Sequence, residues 1–532
     1  MAAAGKGLGT HMKQLEILDT TLRDGAQSEG ISFSVSDKLA IAKVLDGFGV
    51  AYIEAGNPVS NPKDMEFFEK AQELNLTTAK LCAFGSTRRK NVAVEDDENV
   101  RSLLSANTPA VSIFGKSWDL HVTEVLKATP EENLALVYDT IAFMKQNGKE
   151  VIFDAEHFFD GYKANAPYAL KVLDAATRAG ADVLCLCDTN GGADPVEISD
   201  ITKTVCTTFP QVRVGIHCHN DIGCAVANSI VAVEAGAVHI QGTFTGIGER
   251  CGNANLSTII PTLQLKKGYR CVTGDMQKLT PTSVKLSEIS NMSLRGNMPY
   301  VGSSAFAHKG GMHIDGVNKL SRSFEHIPPD SVGNSRRFLL SEVAGRNALM
   351  AKLAGTSVAQ AVTDAGQTAE LLALLKDKEH EGYQFEAADA SFELLVKRAL
   401  GLFTPHFSLD MYKTNGEFPS PDGETNASAM LKIQVGGTYE TTAAVGNGPV
   451  HALDLALRKA LMVFYPQLER VHLTDYKVRV LQAEHATGAK VRVLIESSDG
   501  TRKWITVGVS TDIIAASWEA LVDSIEYALM DV

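Results

Sequence analysis

Residues 183–216 read VLCLCDTNGGADPVEISDITKTVCTTFPQVRVGI. A short apolar run, Val183–Cys187, is followed by an amphipathic helix-like stretch, Pro195–Thr207, and then by a second apolar run, Val212–Ile216. Asp194 directly before Pro195 is a helix-start signal: the acid accepts from unpaired N–H groups of the first turn, and proline tolerates the first helical position. The segment therefore reads as strand, helix, strand.

The same unit recurs on both sides. Further apolar runs are Leu15–Leu18, Ala51–Ala55, Ala79–Phe84, Ala110–Phe114, Val151–Phe153 and Val238–Phe244. Helix-like segments sit between runs, at Ser36–Phe48, Pro130–Gln146, Pro167–Ala179 and Ile222–Ala235. Ser36 before Asp37 reads as another helix start, and Gly49, Gly180 and Gly236 follow helix ends, where glycine accepts the left-handed conformation. Eight strand–helix units in roughly 250 residues match a (β/α)8 TIM barrel. An open doubly wound sheet would alternate in the same way, but its Gly-rich phosphate turn is missing after the first run.

The whole chain has 532 residues, too many for one simple core. We expect a tail at 1–14, with Met12 a candidate natural start, and a catalytic barrel at 15–267. A helical linker region follows at 268–390, and an α+β domain at 391–532. In the linker, helices are expected at Pro281–Met292, Ser341–Ala354 and Val358–Asp377, with Gly296–Gly316 as a loop. In the last region, strand-like Phe407–Thr414, Ala429–Val435, Tyr476–Leu481, Lys490–Glu496 and Arg502–Val509 mix with helix-like Val450–Phe464 and Ile513–Met530, suggesting an internal duplication.

Hydrophobic residues make up 45% and charged residues 21%, which excludes disordered and fibrous classes. The net charge of −13 carries no basic surplus for nucleic acid. No apolar run is long enough to span a membrane, and the start lacks a signal-peptide core. Eight cysteines are too sparse for a disulfide scaffold. Cys82, Cys185 and Cys187 lie inside apolar runs and read as reduced core residues, so a cytoplasmic setting is expected.

A barrel carries its chemistry at the C-terminal ends of its strands. The first run ends in Asp19-Thr-Thr-Leu-Arg-Asp-Gly25, the seventh in Gly215-Ile-His-Cys-His-Asn-Asp221, and Gly246-Ile-Gly-Glu-Arg-Cys-Gly-Asn253 follows the eighth. His217 and His219 are two apart on a strand, so both imidazoles face one way. Barrel closure makes strands seven, eight and one neighbours, bringing Asp24 and Asn253 to the pair. Two imidazoles, a carboxylate and an amide oxygen suit Mn²⁺, Zn²⁺, Co²⁺ or Mg²⁺. Arg23, next to Asp24, suits an oxyanion developing on a carbonyl, or an ion pair with Glu54 or Asp188. Glu156, ending the fifth run, suits proton transfer, and Thr189, ending the sixth, suits donation to a substrate carboxylate.

Together these motifs resemble the metal-dependent, aldolase-like family of 2-isopropylmalate, homocitrate and citramalate synthases. The matching pieces are Asp19–Gln27, Ile53-Glu-Ala-Gly56, Gly215–Asp221, Gly248–Asn253 and Ala305-Phe-Ala-His-Lys-Gly-Gly-Met-His-Ile-Asp-Gly316; Gly446-Asn-Gly-Pro-Val450 resembles that family's C-terminal allosteric domain. The resemblance implies an acyltransferase joining acetyl-CoA to a 2-oxo acid. It implies Asp24, His217 and His219 as metal ligands, with Asn253 as a fourth or water-bridged one. Arg23 would face the keto oxygen and Thr189 the carboxylate, with Glu54 and Gln27 also at the substrate. Glu156 would belong to the acid/base set, and His313 and Asp315, delivered by the linker region of this or the partner subunit, would reach the barrel mouth near acetyl-CoA. One departure is that related synthases carry a tyrosine some ten residues after that histidine, where this chain has Ser323-Phe324. The resemblance also implies a homodimer and an amino-acid effector at the last domain.

Glu54-Ala-Gly-Asn-Pro58, Ala155-Glu-His-Phe-Phe-Asp-Gly161 and Cys187-Asp-Thr-Asn-Gly-Gly192 look most like the citramalate branch, which uses pyruvate. The 2-oxoisovalerate-using branch is the alternative. Phe84, Phe114 and Phe158 either narrow the pocket around a methyl group or belong to the core. A lyase of the hydroxymethylglutaryl-CoA type would need no third domain, and an amino-acid sensor without turnover would need no metal.

Overall fold

The computed structural model describes residues 13–339, 346–353, 356–359, 361–362, 365–416, 426–481 and 488–530. The expected tail up to Met12 lies outside the described residues. The chain divides into two compact units, residues 1–306 with 327–336, and residues 307–326 with 337–532.

The first unit is a closed barrel of eight parallel strands in sequence order. These are β1 (Glu16–Asp19), β2 (Tyr52–Glu54), β3 (Lys80–Ser86), β4 (Ala110–Lys116), β5 (Glu150–Glu156), β6 (Val183–Asp188), β7 (Arg213–Cys218) and β8 (His239–Gly242). Leu18 of β1 pairs with Gln241 of β8 and closes the ring. Every expected run is a strand, displaced by no more than a few residues. Leu18, Tyr52, Cys82, Ala110, Ile152, Val183, Cys185 and Cys187 form one cluster on the barrel strands, as expected of the three buried cysteines. A larger apolar layer joins strands to the helices around them.

Those helices are α1 (Val35–Phe48), α2 (Pro62–Ala71), α3 (Glu98–Ser105), α4 (Pro130–Gln146), α5 (Phe158–Ala179), α6 (Pro195–Thr208), α7 (Ala225–Glu234) and α8 (Leu256–Pro261). Several differ from expectation. The cap of α1 is Ser34, not Ser36: its Oγ accepts from the Asp37 N–H at 3.2 Å, and Asp37 accepts from the Ser34 N–H at 2.8 Å, a reciprocal capping box. Helix α5 begins at Phe158, well before Pro167, because Asn165 leaves helical geometry (φ −153°, ψ 75°) and relieves the proline clash. Helices α2, α3 and α8 are additional.

An ion cluster lies at the N-terminal ends of the strands. Arg213 pairs with Glu16 and, at 2.8 Å, with Glu150; Lys80 and the Tyr52 hydroxyl also reach Glu150, at 2.7 and 2.8 Å. After the barrel, α9 (Leu279–Ile289) packs against α1.

The second unit opens inside the stretch expected as a loop. There β9 (Ala307–His308) pairs with β10 (Arg337–Phe338), and α10 (Gly311–Lys319) follows β9. Helices α11 (Arg346–Leu353), α12 (Ala365–Glu381) and α13 (Asp389–Ala399) share a core with α10 through Ile314, Leu349, Leu371 and Phe392. The expected duplication is present. Strands β11 (Ser408–Gly416), β12 (Ala427–Val435) and β13 (Thr438–Gly446) lead to α14 (Pro449–Leu461); β14 (His472–Val480), β15 (Val491–Ser498) and β16 (Lys503–Ser510) lead to α15 (Ile513–Leu529). Gly436 and Gly437, at φ +55° and +87°, make the tight turn that seats Val435 opposite Thr438.

Candidate metal centre and substrate pocket

Beyond β1 the chain turns tightly, with the Thr20 carbonyl accepting the N–H groups of Arg23 and Gly25. The turn points Asp24 at the two histidines of the β7 end. Asp24 Oδ2 lies 3.3 Å from His217 Nε2 and 3.8 Å from His219 Nε2, and the two Nε2 atoms are 3.3 Å apart. All three side chains are buried.

The electrostatics suit a cation. Burial opposes ionisation of Asp24, but Arg23 and the two imidazoles outweigh it and hold the carboxyl well below its ordinary range. Burial and the neighbouring His217 bring His219 down to about 4, so its ring stays neutral with a lone pair to offer. His217 Nδ1 lies 2.9 Å from Gln241 Oε1, and Gln241 Nε2 donates to Asp154 Oδ1 at 2.8 Å. With the amide so oriented, Nδ1 of His217 carries a proton; burial opposes a second proton on the ring, but Asp24 beside Nε2 outweighs it and raises the imidazole, so a cation at Nε2 would take that proton's place.

Asn253 is brought to His219 by an antiparallel bridge. Its Nδ2 donates to the Ile247 carbonyl at 3.3 Å, while its buried Oδ1 has no hydrogen-bond partner among the described residues. An orphaned acceptor beside two imidazoles and a carboxylate fits a divalent cation. The glycines of this loop are steric necessities: Gly252 sits at φ +92°, and a Cβ there would meet the Gly246 carbonyl oxygen at 2.1 Å.

Arg23 lies against this centre. Its Nε donates to Glu54 Oε2 at 2.7 Å, and the Thr20 hydroxyl donates to the same oxygen at 2.6 Å. Of the two partners considered, Glu54 is the one it takes. Expected at the substrate, Glu54 is instead fully buried behind Arg23 and absent from the pocket wall, because its carboxylate is turned to that guanidinium.

Above these groups opens a pocket of about 260 Å³ whose wall includes Arg23, Asp24, Gln27, Glu156, Thr189 and His219. The Thr189 Oγ accepts the His157 N–H at 2.9 Å, which leaves the hydroxyl proton free for a ligand. Glu156 is paired with Lys116. Phe84 and Phe114 stack at 5.2 Å on the wall, whereas Phe158 is fully buried in the core.

His313 and Asp315 belong to the second unit, on α10. There the His313 ring stacks on Phe324 at 4.3 Å and Asp315 pairs with Lys319 at 2.6 Å.

Residue-by-residue reading missed three contributors. Gln241 and Asp154 carry no motif of their own; only barrel closure puts them behind His217. Arg250 was within a quoted motif, but its role is tertiary: it pairs with Asp221 at 2.7 Å and donates to the Thr189 carbonyl at 2.8 Å.

Comparison with known proteins agrees with this geometry. A family model described as HMGL-like matches residues 14–293, one described as homocitrate synthase post-HMGL domain-like matches 300–380, and one described as LeuA allosteric (dimerisation) domain matches 386–529. An (R)-citramalate synthase of Aquifex aeolicus is 54% identical over 97% of this chain and 98% of its own. The chain belongs to the (R)-citramalate synthase family. A Synechocystis (R)-citramalate synthase is 51% identical over 98% of this chain and 97% of its own. A 2-isopropylmalate synthase of Methanocaldococcus jannaschii is more distant, at 32% identity over 96% of this chain and 94% of its own. The citramalate branch, rather than the isopropylmalate branch, is therefore the one this sequence follows. Among the described residues, no helix is long and apolar enough to cross a membrane.

Proposed function

We propose that this chain is an acyltransferase that condenses acetyl-CoA with pyruvate and hydrolyses the thioester, releasing (R)-citramalate and CoA for isoleucine biosynthesis. The observation that carries this reading is the convergence of Asp24, His217 and His219 beside Arg23, in a chain 54% identical to an (R)-citramalate synthase.

Asp24, His217 and His219 would hold a divalent cation, with Asn253 as fourth or water-bridged ligand. When bound, that cation supplies Lewis-acid polarisation of the keto group. Thr189 donates its hydroxyl proton to the pyruvate carboxylate, and Gln27 borders the same space. Arg23 donates to the keto oxygen and stabilises the negative charge that grows there, a contribution of about 10²–10³-fold per well-placed donor. Glu156 belongs to the acid/base set, and the family resemblance would assign His313 and Asp315 to the acetyl-CoA side of the reaction. One of this set takes a proton from the acetyl methyl group, and the resulting enolate carbon bonds to the keto carbon. A proton returns to the new alkoxide, and water then cleaves the thioester. The stacked Phe84 and Phe114 rings close the pocket around the pyruvate methyl; a larger oxo acid would have to displace them.

Residues 391–532 are the regulatory domain in this reading, with isoleucine as effector, and 268–390 the linker between it and the catalytic residues 15–267. The match to a LeuA allosteric (dimerisation) domain supports this and a homodimer. The test is CoA release with a panel of oxo acids, run with Mn²⁺ and Mg²⁺ and with each amino acid added. Pyruvate should dominate and isoleucine should inhibit. Preference for 2-oxoisovalerate would move the chain to the isopropylmalate reaction, and a longer oxo acid to the homocitrate one.

A further inference from the structure

Linked to the candidate metal centre through Gln241 is a second group of ligand-forming side chains. Asp154 of β5 is the register partner of Cys185 on β6. Cys187, two residues on, faces the same way. A carboxylate oxygen and both Sγ atoms lie within 4.8 Å of one another, and all three residues are buried. Asp154 and Cys187 are also part of the pocket wall, so an ion can reach the group from the barrel mouth. All eight cysteines are free thiols.

We propose that Asp154, Cys185 and Cys187 form a second cation site, selective for thiophilic divalent ions such as Cd²⁺ and Zn²⁺. Two sulfurs and one carboxylate are a soft donor set, which Mg²⁺ and Mn²⁺ disfavour and which Zn²⁺ and Cd²⁺ prefer. Burial pushes the Cys185 thiol well up; at Cys187 the hydrogen bond with Cys185 favours the thiolate, but burial and nearby carboxylates outweigh it. Both thiols are therefore protonated at rest. On binding, each S–H bond breaks, its proton passes to solvent and its sulfur lone pair forms the bond to the cation. No electron transfer is involved. Because Asp154 Oδ1 also accepts from Gln241, its capture by a cation loosens the support of the His217 ring.

The test uses the full-length protein saturated with Mn²⁺ and titrated with Cd²⁺. We expect a sulfur-to-cadmium charge-transfer band that saturates at one Cd²⁺ per chain, and X-ray absorption showing two sulfurs around that ion. Cys185→Ser with Cys187→Ser should abolish the band, whereas Cys251→Ser, which removes an exposed thiol, should retain it. A cadmium shell with fewer than two sulfurs, a band that survives the double substitution, or a band lost with Cys251 would overturn the proposal. Should the double variant not fold, the sulfur count in the unsubstituted protein and the Cys251→Ser result decide alone.

Discussion

The Arg23 guanidinium lies over the face of Phe84, its carbon 3.8 Å from the ring centroid. The stack fixes the plane of the guanidinium while Glu54 fixes its Nε. A lysine ammonium has neither the plane nor the fork. Arg23→Lys should therefore lower kcat by about 10²–10³-fold while changing KM for pyruvate much less, as steady-state kinetics would show. Glu54→Leu removes the carboxylate that holds the Arg23 Nε and leaves Asp24, at 3.6 Å, as its remaining acidic partner; it should lower stability, measurable by denaturant unfolding. Unchanged turnover in Arg23→Lys would remove Arg23 from the reaction.

Stripping the protein with a chelator should abolish CoA release, and Mn²⁺ should restore it. Calorimetric titration with Mn²⁺ should show binding lost in Asp24→Asn, His217→Ala and His219→Ala. Gln241→Leu should weaken binding by about 10–100-fold, because it frees the His217 ring from the side that faces away from the cation. Equal Mn²⁺ affinity in the Asp24 variant would disprove the ligand assignment.

Thr189→Val removes a donor to a charged group, a hydrogen bond worth about 1.5–3 kcal/mol. KM for pyruvate should rise roughly 10–100-fold, and Thr189→Ser should recover most of the loss. Comparable KM values across the three proteins would show that the carboxylate is held elsewhere.

Acid sensitivity should begin at the opposite end of the barrel. Burial opposes ionisation of Glu150, but hydrogen bonds from Arg213, Lys80 and Tyr52 outweigh it and lower its carboxyl to about 2. A carboxyl lowered in the folded state stabilises the fold above its ordinary value, and that contribution fades as pH falls toward the folded value. Glu150→Gln should therefore melt lower than the parent at neutral pH. The gap should narrow as pH falls from the ordinary glutamate value toward about 2. A gap independent of pH would exclude this ion cluster as its source.

The elements legible in the sequence were those with a local physical signature. Buried parallel strands are continuous apolar runs, so all eight barrel strands could be found. Strand β13 was not: its sequence, Thr438-Tyr-Glu-Thr-Thr-Ala-Ala-Val-Gly446, faces solvent over much of its length, and its apolar residues, Ala443-Ala444-Val445, are confined to one end. Helix α3 shows only a short amphipathic stretch. The early start of α5 was hidden because Pro167 reads as a beginning, and only the non-helical Asn165 reconciles it with a longer helix.

The order of residues alone determined that His217 and His219 share a face, because strand geometry alternates side chains whatever surrounds them. It also determined the barrel, since eight short apolar runs separated by helices bury themselves in few other ways. Tertiary structure decided what stands behind those residues. Gln241 supports His217, Glu54 withdraws from the pocket to hold Arg23, and Asn253 keeps a bare carbonyl oxygen beside His219. These contacts depend on barrel closure and on the depth at which each side chain sits, and neither is written in local spacing.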